Sequence, residues 1–350
     1  MTKLRTSVTL VLVSFVAIPP TTARAFDHPG HMATAAIAFA EIEKQRPDLI
    51  DVLGMLFLAH PDPAPFWVAV GDAKGKERVR RMFIEAARWP DDSKFTPRDR
   101  LSWHSARWPV VAKDAPPEAK ALAESRKARA MGQAMEALAL HQAMLANPET
   151  SPADRALALS WVFHIVGDIH QPLHVSDLYS KDFPTGNSAG SMGYVMDPVT
   201  KSPITLHILW DSNDFRSPSL EEVDRHAKEF MERYPRTAFP ELKKHPVTDP
   251  KVFEKWAKES HQIAEEWAFD VEMVRDPNED QTSEELVQGM INFILNGVSP
   301  VDDAPELPDG YWEKLKPTAQ KRITLAGYRI ADLVLAAAEQ IEAERKFVGR

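Results

Sequence analysis

The sequence predicts an all-α fold of one domain, and three observations support this prediction. Apolar residues recur at helical spacing through most of the 350 residues, a length sufficient to bury a large core. Proline occurs 28 times, mostly between the helical segments. The chain contains no cysteine, so disulfide bonds and thiolate metal ligands are excluded. Any metal ion must therefore be held by nitrogen and oxygen atoms.

Each helical segment is predicted from apolar spacing and from residues that start or end helices. The segment after Ser151 illustrates this, because Ser151 is a favourable cap, Pro152 fits the first helical position and Pro172 ends the pattern. The predicted helical segments are 32–45, 118–146, 151–171, 219–234, 250–274, 283–296 and 311–346.

The segment 175–206 lacks helical spacing and is predicted to be a long loop. Glycine and proline are frequent there, and residues 193–196 could form a small hairpin. A loop of this length within a compact domain is usually functional or disordered. Because it lies between two histidine-rich motifs, we expect a functional loop.

The first 25 residues have the pattern of a secretory signal peptide. Lys3 and Arg5 precede a short apolar stretch, and Ala23-Arg24-Ala25 matches a cleavage site. The stretch is too short and interrupted for a membrane span. We therefore expect a mature domain of residues 26–350 that is exported to the periplasm or the medium, with no membrane insertion.

The mature chain is predicted to be acidic. Removing the three leader cations from the net charge of −9 leaves −12. Such a chain lacks the broad basic surface that usually binds a nucleic-acid backbone. If the substrate is nucleic acid, the attraction must be local, and bound divalent cations would supply it.

Two pairs of histidine and aspartate carry the most specific chemical signal. His164 and Asp168 are four positions apart, as are His207 and Asp211. On a helix this spacing places both side chains on one face, about 6 Å apart. His174 follows Pro172, where the chain can turn back toward the same face. Imidazole together with carboxylate at this spacing favours a zinc site.

The other histidines are interpreted as structural. A single histidine on an apolar helix is more often a hydrogen-bonded core residue than a metal ligand. His170 is two residues from Asp168 and points to another side, so it is predicted to belong to the core or to support the ligands. No partner at ligand spacing accompanies His28, His60, His141, His226, His245 or His261.

Three upstream pieces complete a pattern. In chain order, Gly30-His31, Trp89-x-Asp91, Trp103-His104, the run from His164 to His174 and Leu206-His207-x-x-Trp210-Asp211 resemble the S1/P1 nuclease family. These are secreted, mostly helical nucleases with three zinc ions, distantly related to zinc-dependent phospholipase C. The motifs cover residues 26–211, and the resemblance implies a phospholipase C/nuclease-like helical fold.

The resemblance implies three zinc ions per chain and assigns their ligands. One zinc would be held by Asp91, His104, His164 and Asp168. The second would be held by His31, Asp168 and the amine and carbonyl of Phe26, which leader cleavage exposes. The third, more open to solvent, would be held by His174, His207 and Asp211. Asp91 is also the predicted catalytic residue, orienting the water that attacks phosphorus.

Two positions depart from the family pattern. The amino-terminal residue is usually tryptophan and here is Phe26, which leaves the backbone ligands available. The loop after the last histidine usually reads Gly-Asp-x-Gly-Gly-Asn, whereas residues 186–191 read Gly-Asn-Ser-Ala-Gly-Ser. Either the usual asparagine is replaced by Ser191, or Asn187 fills its role after a register shift. Asn187 is therefore a predicted substrate-binding residue.

The resemblance implies a zinc-dependent endonuclease that hydrolyses single-stranded DNA or RNA, or nucleotides, and leaves 5′-phosphate products. Whether it also acts as a 3′-nucleotidase is left open, and a monomer is expected. A single-stranded substrate is favoured because an unstacked base can reach a recessed site and stack on aromatic side chains such as Trp103, Trp108 or Tyr179. Two alternatives remain: a phospholipase C, and a zinc-stabilised nucleic-acid-binding protein impaired in catalysis by the altered loop.

Overall fold

A computed structural model describes residues 28–213, 215–243, 249–275 and 301–348 of the protein. The predicted leader, Phe26 and the predicted helix at 283–296 lie outside these ranges. Within them the chain forms eleven α-helices and five short strands, which confirms the predicted mostly helical fold. None of the described helices is both long and apolar enough to cross a bilayer.

The elements alternate long helices with short connecting turns. The helices are α1 (His28–Gln45), α2 (Leu49–Leu58), α3 (Ala64–Val70), α4 (Gly75–Asp92), α5 (Pro117–Arg126), α6 (Ala134–Ala146), α7 (Pro152–Asp168), α8 (Leu206–Ser212), α9 (Leu220–Arg233), α10 (Lys251–Ile263) and α11 (Tyr311–Val348). The strands are β1 (Trp108–Val111), β2 (Ser176–Tyr179), β3 (Gly193–Met196), β4 (Pro203–Thr205) and β5 (Val274–Arg275). A π-helical turn, Ala264–Ala268, continues α10.

Helix α7 lies at the centre of the larger hydrophobic core, packed against α1, α4, α6 and α11. Every residue from Leu159 to Asp168 is buried. A helix that is apolar on all sides is stable only when neighbours cover it completely. Polar side chains on α7 therefore face the protein interior, where they need partners.

The start of α7 follows the prediction. The Ser151 hydroxyl accepts a hydrogen bond from the backbone N–H of Asp154 at 3.1 Å, and Pro152 is the first helical residue. The regular helix ends at Asp168, earlier than predicted, because the backbone tightens into turns in which His170 N–H donates to the Gly167 carbonyl. The chain thus changes direction between Asp168 and His174.

The prediction of one helix over 118–146 is wrong. The structure divides this segment into α5 and α6, with turns, bends and one bridged residue between them. There Met131 pairs with Arg107, and Gly132 has a φ of +101°. A Cβ on Gly132 would lie 2.1 Å from the Ser105 carbonyl oxygen, so only glycine permits this approach. Tertiary pairing outweighs the helical preference of the flanking residues.

The segment 175–206, predicted as a long loop, contains β2, β3 and β4, which belong to two small sheets. The hairpin predicted near 193–196 is confirmed: β3 pairs antiparallel with β4, and β5 lies along the other edge of β3. The second sheet was not predicted, because β1 and β2 pair in parallel although they are distant in sequence. The Ala106 N–H donates to the His174 carbonyl at 3.1 Å, so this sheet joins the 104–111 segment to the turn after α7.

Candidate metal centre

The pair on α7 has the geometry that its spacing predicts. His164 Nε2 lies 3.2 Å from Asp168 Oδ2, and both side chains are fully buried. The Nδ1 atom of His164 donates to the Ala87 carbonyl at 2.8 Å. That bond fixes the ring orientation and directs Nε2 toward Asp168.

A first group forms where α4 ends beside α7. Asp91 is in the last turn of α4, and His104 closes a short 3-10 turn, Leu101–His104. His104 Nδ1 lies 2.8 Å from His164 Nε2, which in turn lies 3.6 Å from Asp91 Oδ1. One nitrogen or oxygen atom from each of these three side chains lies within 4.8 Å of the others, so one ion could contact all three.

A second group adjoins the first and shares His164 with it. His31, in the second turn of α1, places Nε2 3.3 Å from Asp168 Oδ1. The rings of His31 and His164 stack with centroids 3.8 Å apart. The group therefore comprises His31, His164 and Asp168; Phe26, also predicted for this ion, lies outside the described residues.

A third group combines the turn after α7 with α8. His207 Nε2 lies 3.2 Å from Asp211 Oδ2, and His174 Nε2 lies 3.5 Å from Asp211 Oδ1. The Nδ1 atoms of both histidines donate to backbone carbonyls: His174 to His104 at 2.7 Å and His207 to Ala189 at 2.8 Å. Both rings thus present Nε2 to the carboxylate.

The three groups form one continuous cluster. His174 Nδ1 lies 3.7 Å from Asp168 Oδ1, which links the third group to the second. The structure therefore brings together all eight predicted ligands within the described residues. They are His31, Asp91, His104, His164, Asp168, His174, His207 and Asp211.

The hydrogen bonding of the carboxylates fits bound cations. Both side-chain oxygens of Asp168, and Oδ2 of Asp211, are buried and accept no hydrogen bond of normal geometry. Burying a carboxylate without a donor is costly unless a charge compensates it. Imidazole nitrogens and carboxylate oxygens are the cysteine-free ligand set that zinc prefers. The residues present therefore fit zinc.

The groups also perturb one another's protonation. Burial and the neighbouring His164 lower the pKa of His31 to about 4, so this ring is neutral at pH 7. Burial also lowers the pKa of His174, but Asp168 and Asp211 outweigh it and raise that pKa to about 9. Burial opposes ionisation of Asp168, yet His164 and His174 hold its pKa well below the usual range.

Lys94 belongs to the site although the sequence analysis did not identify it. Its Nζ lies 2.6 Å from Asp91 Oδ1. Burial lowers the pKa of Lys94, but Asp91 outweighs burial and the pKa is raised, so the ammonium stays charged. The only available signal was its position three residues after Asp91, which is common for ordinary surface pairs.

Phe95, the next residue after Lys94, is exposed and was also not identified by the sequence analysis. Its side chain is 85% exposed and its φ is +62°, which is rare for a bulky residue. The backbone is held by a hydrogen bond from Phe95 N–H to Asp99 Oδ2 at 2.8 Å.

The predicted stacking residues are less accessible than Phe95. Tyr179 is buried, and Trp103 packs edge-on against Trp161. Trp108, the third, is partly covered by Lys258.

Asn187 is fully buried in the loop at 186–191. Its Oδ1 accepts the backbone N–H groups of Leu178 and Gly190, each at 3.0 Å. Ser188 and Ala189 follow with φ of +50° and +62°, and the Ala189 carbonyl accepts the His207 hydrogen bond. Asn187 thus holds a strained loop that orients a predicted ligand. Its predicted contact with substrate stays a prediction.

The histidines interpreted as structural lie away from the cluster where the structure describes their side chains. His60 and His141 are buried and bond to the backbone carbonyls of Asp62 and Ala137. His170 lies in the turn between Asp168 and His174, and its buried ring contacts the Val166 carbonyl and Arg329. None of these, nor His226 or His261, joins a described metal group. The side chains of His28 and His245 lie outside the described part.

Comparison with known proteins agrees with this geometry. Nuclease S1 of Aspergillus oryzae (strain ATCC 42149 / RIB 40) is 26% identical to this chain over 253 residues, which cover 70% of this chain and 75% of that protein. The S1/P1 Nuclease family matches residues 26–339, a range that includes every group described above. The chain belongs to the S1/P1 nuclease family.

Proposed function

We propose that this protein is a zinc-dependent endonuclease that hydrolyses phosphodiester bonds of single-stranded DNA or RNA and leaves 5′-phosphate products. The observation that carries the proposal is the continuity of the three groups, which meet through His164 and Asp168. A phosphodiester with its attacking and leaving oxygens spans several ångströms, so one contiguous centre can contact all of them.

Three zinc ions are proposed to occupy the groups, the second completed by the amine and carbonyl of Phe26. When bound, they supply positive charge that polarises phosphoryl oxygens and activates water. The chain orients the reactants: Asp91 can accept a hydrogen bond from the attacking water. The Lys94 ammonium, 2.6 Å from Asp91, adds a donor for a phosphate oxygen.

Preference for single strands is proposed from the depth of the site and from Phe95. All three aspartates of the cluster are buried, so a phosphodiester must leave a duplex to reach them. Phe95 directly follows Lys94 and offers an exposed ring for a base. A contact of substrate with Asn187 would use Nδ2, because Oδ1 already accepts two backbone N–H groups. That contact requires the surrounding loop to open.

Export is part of the proposal. Cleavage after Ala25 exposes the Phe26 amine, five residues before His31. Removal of the leader is therefore required for the complete metal centre, since Phe26 has no free α-amine in an uncleaved chain.

The test measures zinc content and product release on purified chain that begins at Phe26. We expect three zinc ions per chain, with acid-soluble nucleotides released from single-stranded DNA or RNA faster than from duplex. A matched chain with one extra residue before Phe26 should bind less zinc and be less active. Phosphocholine release from lipid without nucleotide release would establish the phospholipase C alternative instead.

A second candidate function is a zinc-stabilised nucleic-acid-binding protein with impaired catalysis. It is favoured by the altered loop, in which Asn187 is committed to the backbone and Ser191 replaces the usual asparagine. Under this alternative, zinc-loaded protein would bind an oligonucleotide and leave it intact, a result that the same assay detects.

A further inference from the structure

A buried ionic network lies directly behind the ligand-bearing turn. Arg329 on α11 is 1% exposed, and its guanidinium contacts both carboxylate oxygens of Glu259 on α10 at 2.7 Å. The same guanidinium lies over the Trp256 ring, 4.7 Å from its centroid. Arg322, two turns earlier on the same face of α11, is also buried and donates to Glu259 at 3.0 Å. Two guanidinium groups thus converge on one carboxylate.

The network is bonded to the chain between Asp168 and His174. Arg329 Nη1 donates to His170 Nε2 at 2.7 Å, while His170 Nδ1 donates to the Val166 carbonyl. Arg322 Nε donates to the His170 carbonyl at 3.1 Å. The Ser260 hydroxyl donates to the Ile169 carbonyl at 2.7 Å and accepts from Arg322 at 2.6 Å. Two consecutive carbonyls and one ring of this turn are therefore held.

Packing of α10 against α11 does not by itself require these directional hydrogen bonds. Well-packed apolar residues of similar volume would join α10 to α11 at similar or greater stability, because buried ion pairs rarely exceed their desolvation cost. The bonds instead define the position of a turn whose ends carry Asp168 of the second group and His174 of the third group, with His174 Nδ1 3.7 Å from Asp168 Oδ1. A shift of this turn would separate two ligand sets at once.

We propose that Arg329, Arg322 and Glu259 are positioning residues of the metal centre, which act through His170 to fix the turn between Asp168 and His174. The inference rests on the proposed zinc sites. It assigns a role in metal geometry to residues of α10 and α11 that contact none of the eight ligands directly.

The test compares conservative variants with a matched control. Arg329→Lys keeps the charge but loses the planar fork, and Glu259→Gln keeps the shape but loses the charge. Arg236→Lys is the control, because it also replaces a guanidinium paired with a carboxylate of α11, Asp332, at 2.6 and 2.7 Å, while leaving the charges near Arg329 unchanged. All three should lower the melting temperature.

The informative readouts are the visible absorption spectrum of the cobalt-substituted protein and the zinc dissociation constants measured against a chelator. We expect Arg329→Lys and Glu259→Gln to shift the cobalt bands and to weaken zinc binding roughly 10-fold or more. Arg236→Lys should leave both unchanged. Equal spectra and zinc affinities in all variants, with cobalt bound normally by wild type, would overturn this inference alone. A wild-type chain that binds no cobalt would overturn the proposed function and this inference with it.

Discussion

Gly167 and His31 approach each other so closely that no side chain fits between them. A Cβ on Gly167 would lie 2.6 Å from His31 Nδ1 and 2.9 Å from its Cε1. Helix α7 thus reaches His31 on α1 because the residue before Asp168 is glycine. Glycine is needed at this position because a side chain would occupy the space of the His31 imidazole, and not because the backbone conformation requires it.

Gly167→Ala is therefore expected to displace His31 and to weaken zinc binding at the second group roughly 10-fold or more. Overpacking should also lower stability by about 1–3 kcal/mol. Zinc content and chelator competition check the first effect, and denaturant unfolding checks the second.

Gly54→Ala provides the control for this substitution. A Cβ on Gly54 would lie 2.7 Å from Val79 Cγ2, a similar overlap between α2 and α4. This variant should lose stability but keep its full zinc content. If both variants retained zinc equally, His31 would not depend on the space at Gly167.

The elevated pKa of His174 predicts a pH dependence of the metal-free protein. Its folded-state pKa is raised from 6.5 to about 9 by Asp168 and Asp211, against burial. A raised pKa contributes stability that is fully present below pH 6.5 and is lost as pH rises toward 9. We expect the difference in unfolding free energy between wild type and His174→Gln, both metal-free, to decrease over this interval.

Zinc must displace the same proton. Affinity at the third group should therefore increase with pH, by roughly tenfold per unit, and level off near pH 9. Calorimetry in buffers of different ionisation enthalpy counts the protons released. A pH-independent zinc affinity between pH 6.5 and 9 would show that His174 is already neutral in the metal-free protein.

Asn187 is expected to act on zinc through the loop that it holds. Asn187→Ala leaves the buried N–H groups of Leu178 and Gly190 without their acceptor, at a cost of about 1–3 kcal/mol. The loop carries the Ala189 carbonyl that orients His207, so zinc affinity at the third group should also fall. Thermal unfolding and chelator competition measure both effects.

The neighbouring Ser191 is exposed, and Ser191→Ala serves as the control that should change neither quantity. If Asn187→Ala left stability and zinc affinity intact but raised KM for oligonucleotides, Asn187 would act on substrate and not on the loop.

The sequence predicted which side chains come together in the cluster better than it predicted their surroundings. His164 with Asp168, and His207 with Asp211, could be identified because a local period of four residues determines their common face. The break between α5 and α6 could not be predicted from the sequence, because it depends on the contact of Gly132 with Ser105, which is distant in sequence.

Features whose pairing or proposed role depends on three-dimensional contacts were also missed. The parallel pairing of β1 with β2 joins segments far apart in sequence, and no local pattern marks it. The guanidinium groups of α11 lie within an ordinary helical pattern. Phe95 is apolar, and an exposed phenylalanine has the same sequence signature as a buried one.

Phe95 is predicted to support a base of the bound strand. Stacking of one base on an aromatic ring contributes about 1–3 kcal/mol, so Phe95→Ala should raise KM for oligonucleotides by roughly fivefold or more. Zinc content should not change, since Phe95 belongs to none of the groups. Phe95→Trp should retain the wild-type KM.

The backbone of Phe95 makes a sharper test available. A left-handed conformation costs an L-residue about 1–2 kcal/mol, which glycine avoids. Phe95→Gly should therefore be at least as stable as wild type, yet bind oligonucleotides as weakly as Phe95→Ala. Trp67→Ala, which removes a half-exposed aromatic ring on α3, should leave KM unchanged. Unaltered KM in Phe95→Gly would mean that the strained residue has no role in substrate binding.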